Sequence, residues 1–338
     1  MSYTNGLDKP SDYFNTITWT GDGTTKDITG VGFQPDWVWA KKRSATGFNA
    51  LADSVRGGTK NIFTNSSGAE ETSATDWILS FASDGFGVNS GGNLNQSSAT
   101  YVAWNWLADN TSGSSNTDGS ITSTVSANTT SGFSIVSFTS TGSTSTVGHG
   151  LGVTPDIYII KNRSAVEPWF VYTTKIDGSL DYLRLNQADG KVDFGLSAPT
   201  SSVFSTDNGS NGNNIIAYCF AEKKGFSKFG SYTGNGNTDG TFVYTGFKPA
   251  WVMTKRTDSI SSWDMHDTKR DTYNVASKHL LAEDSGAEGN TAILDILSNG
   301  FKFRSSNGDR NASGGTYIYM AFAENPFTTS TGIPTTAR

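Results

Sequence analysis

Two Asp-x-x-Arg pairs, Asp53/Arg56 and Asp267/Arg270, come closest in type and spacing to residues that do chemistry. A guanidinium fork beside a carboxylate can bind a polar ligand such as a sugar through charge-assisted hydrogen bonds. The same pair can instead hold a loop, with the Asp accepting backbone hydrogen bonds in a turn or pairing with the Arg. Each pair is followed by Ser-Gly-Ala-Glu, ending at Glu70 and Glu288. Glycosidic cleavage needs two carboxylates facing one bond, roughly 5 or 6.5–9.5 Å apart, and a single repeated Glu is more naturally structural. Trp37, Trp39, Trp104, Trp106 and Trp251 lie in strand-like runs whose default role is core packing. Trp39 and Trp104 lack an aromatic counterpart in every repeat, so one of them, exposed, would stack on a sugar ring. The candidate ligand-binding residues are Asp53, Arg56, Asp267, Arg270 and Trp39.

Other chemistry is thinly represented. His149, His266 and His279 are far apart and without partners at metal-ligand spacing, which reads as turn and surface histidines. The segment 233–240, TGNGNTDG, resembles a calcium loop, but the twelfth position counted from Asn235 is Gly246 rather than Glu. Such Asn- and Asp-Gly loops are usually turns. Cys219, the lone cysteine, sits in an apolar run and reads as a buried small hydrophobe. No nucleophile elbow, phosphate loop or His-Glu-x-x-His motif is present. No catalytic residue, metal or cofactor is therefore assigned, and the chain is read as a non-enzyme. A net charge of −6 argues against nucleic acid as a main partner. No apolar run approaches membrane-spanning length, and the N-terminal stretch reads as no signal peptide, which predicts synthesis in the cytoplasm.

The elements that must position these residues repeat three times. Gly and an apolar residue precede Pro35, Pro155 and Pro249; Trp37, Ile157 and Trp251 follow two residues later, and Lys41, Lys161 and Lys255 six residues later. Each copy closes on an apolar run holding Trp106, Phe220 or Phe322. The pattern predicts three modules of about 95 residues, at 1–107, 133–225 and 226–327. Segment 108–132 is a Ser/Thr-rich linker or an edge strand, and 328–338 a polar tail. Glycines number 38 and aromatics reach 12 %, with short apolar runs between turn residues. This predicts an all-β fold of three homologous β-sandwich or jelly-roll-like modules. The best helical stretch, around Tyr273–Ala282, spans two to three turns at most. Copy 2 carries Thr173 and Ile176 at the Asp and Arg positions and has no Ser-Gly-Ala-Glu. A ligand surface is therefore sought on copies 1 and 3, with copy 2 as spacer.

The blocks GVGFQPDWVWAKKRS, LADSVRGGTKNIFTNSSGAE, VGHGLGVTPDIYIIKNRS and GTYIYMAFAENPF resemble a family of repeat-built proteins abundant in marine bacteriophages. That family is carried mostly as a domain of unknown function, with members labelled tail-fibre or lectin-like. The resemblance implies a virion component in a tail, fibre or capsid-surface position, assembled without secretion, and supplies no catalytic residues. The expected partners are other virion proteins and a host surface glycan, with no nucleic acid and no membrane insertion, in a homo-oligomer. The alternatives are a purely architectural decoration protein and an enzyme acting on polysaccharide.

Overall fold

In each copy the apolar run after the proline forms a strand, Trp37–Lys42, Ile157–Asn162 and, longer, Phe247–Arg256. The computed structural model describes residues 7–90 and 93–335. The first six residues, part of the stretch read as lacking a signal peptide, and the last three of the polar tail lie outside the described residues. The chain is nearly all β, and among the described residues the α-helix is one turn, Gly308–Asn311, capped by Asn307.

Three large antiparallel sheets share one strand order at their centres. In the first, the opening strand Phe14–Thr20 pairs with the closing strand Thr100–Trp106, which pairs with the proline strand, then Asn49–Asp53 and Lys60–Phe63. The second runs Phe133–Thr139, Asn214–Phe220, proline strand, Phe170–Thr173, Asp181–Arg184. The third runs Ser227–Thr233, Thr316–Pro326, proline strand, Trp263–Asp267, Ala276–Leu281. The register is shared: Trp37 opposes Trp106, Ile157 opposes Phe220 and Trp251 opposes Phe322. Proline lacks a ladder N–H, so it suits strand starts and bulges. Pro35 and Pro155 stand just before their strands, and Pro249 lies at a register shift.

Alternate residues point to opposite faces, and both faces of these sheets are covered. Trp37 and Trp39 join one core shared by all three sheets, with Ile157, Ile159, Trp251, Met253, Phe220 and Phe322. Val38 and Ala40 face a separate core beneath the first sheet, and the other sheets have their own outer cores. Burial on both faces explains why the sequence shows near-continuous apolar runs rather than alternation.

Segment 108–132 contains Ser123–Asn128, paired along its length with Phe133–Thr139, and a short outer strand, Ser114–Asn116. The helical reading of Tyr273–Ala282 is corrected. Ala276–Leu281 is a strand between Trp263–Asp267 and Gly289–Leu297, and Asp271 Oδ2 accepts the amides of Ser277 and Lys278 at its start. Pairing on both sides outweighs local helix propensity. The two ends of the described chain meet, with Ser330 N donating to Asp8 Oδ1 at 2.7 Å.

Candidate functional site

The shared core puts three seams between the sheets, and each seam is built from equivalent bonds. The repeated lysines reach into a neighbour: Lys41 Nζ donates to Asp284 O, Lys161 to Ser67 O and Lys255 to Ala188 O. The residue 14 past each proline does the same. Asn49 Nδ2 donates to Leu281 O, Trp169 Nε1 to Phe63 O and Trp263 Nε1 to Arg184 O. Two backbone bonds complete each seam: Gly47 N to Ser285 O with Glu288 N to Arg43 O, Glu167 N to Ser67 O with Glu70 N to Arg163 O, and Ser261 N to Ala188 O with Lys191 N to Thr257 O. The first sheet therefore grips the third, the second grips the first, and the third grips the second. This head-to-tail arrangement closes into a ring.

Two seams carry a buried ionic lock. Arg56 Nε and the backbone N of Arg56 donate to Asp53, and Arg56 Nη1 donates to Glu70 Oε2 at 3.1 Å. Arg163, from the second sheet, binds both Glu70 oxygens at 2.7 and 2.9 Å, and Tyr218 OH donates to Asp53 Oδ2 at 2.7 Å. The other lock repeats this: Arg270 on Asp267 and Glu288, Arg43 of the first sheet on both Glu288 oxygens, and Trp104 Nε1 donating to Asp267 Oδ2 at 3.0 Å. Burial raises the Glu70 and Glu288 carboxyls, but hydrogen bonds from Arg163 and Arg43 and the charges of Arg56 and Arg270 outweigh it and hold both below the usual range.

The third seam replaces every member of the lock. Thr173 and Ile176 stand for Asp and Arg, and Met320 for Tyr218 or Trp104, by strand register. The equivalent backbone bonds place Thr257 where Arg43 and Arg163 stand, and Lys191 where Glu70 and Glu288 stand. Ile176 packs on the shared core, and Thr173 Oγ1 donates to Asp156 O within its own sheet. Lys191 turns to Asp177, Asp181 and Asp193. Those three carboxylates lie close enough to suit a cation, and the Lys191 ammonium already bonds all three.

The structure thus brings Asp53 and Arg56 together, and likewise Asp267 and Arg270, but as seam fasteners with exposures of 0, 6, 1 and 3 %. Trp39 is not exposed for stacking; it is 1 % exposed and meets Trp104 edge to face at 5.7 Å. All five are engaged by groups of the protein itself, the ion pairs by Glu70 and Glu288 and Trp39 by Trp104. Glu70 and Glu288 lie in different seams, each held by two arginines. The surface reading of the histidines is corrected: His149 and His266 are 0 and 1 % exposed. His266 lies in the outer core of the third sheet beside Asp264, itself paired with Arg310, and burial lowers its basicity. In the loop 233–240 an amide takes the place a cation would need, as Asn311 Nδ2 donates to Asn235 Oδ1 and Asn237 O. Sequence reasoning missed Tyr218, Arg43 and Arg163, and it singled out Trp104 for a sugar-stacking role rather than for its bond to Asp267. The arginines alone left a signal, two residues past their repeated lysines.

Open clefts at the surface include two lined by described residues. One, of about 470 Å³, lies between the opening strand of the first sheet and the third sheet, around Thr16, Lys248 and Glu324. The other, of about 340 Å³, includes Tyr244, Phe327, Lys224 and Lys228. A family model described as "Domain of unknown function (DUF7483)" matches residues 9–326. No curated protein and no solved structure matches the chain.

Proposed function

The chain belongs to this family of unknown function, whose model covers nearly all of it, and from that premise we propose that it is a structural protein of a bacteriophage particle, displayed on tail, fibre or capsid surface and serving attachment to a host glycan. We read the three sheets as three copies of one module, fused into a single chain. One observation carries the reading: the repeated polar residues fasten the sheets to one another around a common core. The phage assignment rests on the sequence resemblance. Fastening of this kind makes a rigid scaffold whose outer surfaces and clefts are free for contact. The pair of glutamates that invited an enzymatic reading is engaged by arginines in two separate seams, which supports a non-enzymatic role.

The test is to locate the protein on purified particles by electron microscopy, and to measure retention of the particles on host surface polysaccharide with and without it. Density at a peripheral position, with retention lost on deletion, is the expected result. No density in purified particles sinks the proposal. The ring geometry also favours a second reading, an architectural decoration that binds no receptor. Particles that fall apart on deletion while the isolated protein ignores every glycan would select it.

A further inference from the structure

Thr16 lies on the face of its strand that points to the shared core. By strand register its counterparts in the other two sheets are Ile135 and Phe229, both buried in that core. A short hydroxyl in place of a large apolar side chain leaves space, and the structure shows it: Thr16 lines the cleft of about 470 Å³, within the range of about 300–1,000 Å³ common to small-ligand sites. Thr16 is 3 % exposed, yet its Oγ1 has no hydrogen-bond partner among the described residues. Across the cleft Glu324 accepts Lys248 Nζ on Oε1 at 2.7 Å, while its buried Oε2 has no partner either. Buried polar atoms are ordinarily satisfied, so two orphans on residues that line one cleft mark a place for polar groups from outside, reached when the Thr16 and Glu324 side chains turn toward it. Phe14 and Ala250 add apolar lining, and exposed Lys269 stands at the rim with no ion-pair partner among the described residues.

We propose that this cleft is a carbohydrate site for a saccharide of one or two rings. Its hydroxyls bond Thr16 Oγ1 and Glu324 Oε2, its apolar ring face lies toward Phe14 and Ala250, and a ring carboxylate pairs with Lys269. An acidic sugar such as a uronic acid is therefore preferred. The inference rests on the attachment reading and gives it a location and a ligand class.

The test uses the full chain and saturation-transfer NMR with glucose, N-acetylglucosamine, glucuronic acid and their disaccharides. Wild type is expected to bind, with glucuronic acid preferred. Thr16→Ile, which restores the residue type of the second sheet, weakens binding at least about tenfold. Glu324→Gln weakens it less, and Lys269→Ala removes the preference for glucuronic acid. Because Lys269 is exposed, that variant reports on the site even if Thr16→Ile disturbs folding. Equal binding by wild type, Thr16→Ile and Lys269→Ala overturns the site and leaves the attachment reading standing. Silence of wild type toward the whole panel, while particles still adhere to host polysaccharide, overturns the site alone. Silence together with particles that do not adhere overturns both.

Discussion

Without the Arg56 guanidinium, Asp53 would be left as an uncompensated carboxylate at 0 % exposure. Breaking a buried pair from one side costs about 3–5 kcal/mol, whereas replacing it whole with apolar residues is often neutral. The third seam already shows a whole replacement. Arg56→Ala is therefore expected to destabilise by about 3–5 kcal/mol in urea unfolding, and the triple change Asp53→Thr, Arg56→Ile, Tyr218→Met by clearly less. A triple variant at least as unstable as Arg56→Ala would refute this account of the third seam. The seam lysines make a second prediction. Burial lowers Lys41, Lys161 and Lys255 to about 8 each, below the usual value of about 10.4. A lysine depressed in the folded state contributes stability that is fully present above the unfolded value and lost as pH falls toward 8. Wild type should therefore gain on Lys161→Met as pH rises from 8 to 10, by up to about 3 kcal/mol, measured as the difference in unfolding free energy. A gap that stays constant or narrows would contradict it. At this scale the Asp-x-x-Arg spacing was legible. Its partners were not: Tyr218 lies 165 residues from Asp53, and Trp104 lies 163 from Asp267, and no local pattern links them.

The sheets explain which elements were legible. Closing and proline strands stand out as apolar runs because both of their faces are buried, whereas their register, with Trp106, Phe220 and Phe322 opposite Trp37, Ile157 and Trp251, appears only in the sheets. Ala276–Leu281 was misread because Ala, Lys and Leu favour helix, while its strand state is imposed by neighbours on both sides. The exposure of Trp39 was misjudged because its exposure depends on the shared core, which no single copy reveals. Closing strands have partners on both edges and cores on both faces, so their amides should open only with global unfolding. Hydrogen exchange is expected to be slowest across Val102–Trp106, Ile215–Phe220 and Ile318–Phe322. It should be fastest in the outer strands Ser114–Asn116 and Glu71–Thr72. Comparable protection in the two groups would contradict the two-core account.

At the scale of the molecule, Trp37, Trp39, Trp104 and Trp106 are covered by residues of the other two sheets. Calorimetry is expected to show one unfolding transition for the full chain. Residues 1–107 alone should expose the tryptophan face, bind a hydrophobic dye and aggregate; a stable, dye-silent monomer would show that the segment needs no neighbours. Ring closure was not legible in the sequence, because a repeat count does not say whether copies line up or close. The lock-free seam joins the second and third sheets, whose strands are linked by the short stretch 221–226. The seam between the third and first sheets has no direct chain link between its strands and carries a lock. One ionic lock thus stands where no direct chain link joins the neighbours, and the other fastens the first and second sheets, which the stretch after Trp106 also joins. Since Ser330 also reaches Asp8, the path of the chain comes back to its start. A gene recut within the exposed stretch 110–112, with a short peptide joining the neighbourhoods of Asp8 and Ser330, is expected to describe the same object. The order of the three sheets around the ring is set by their mutual contacts, not by which of them comes first along the chain.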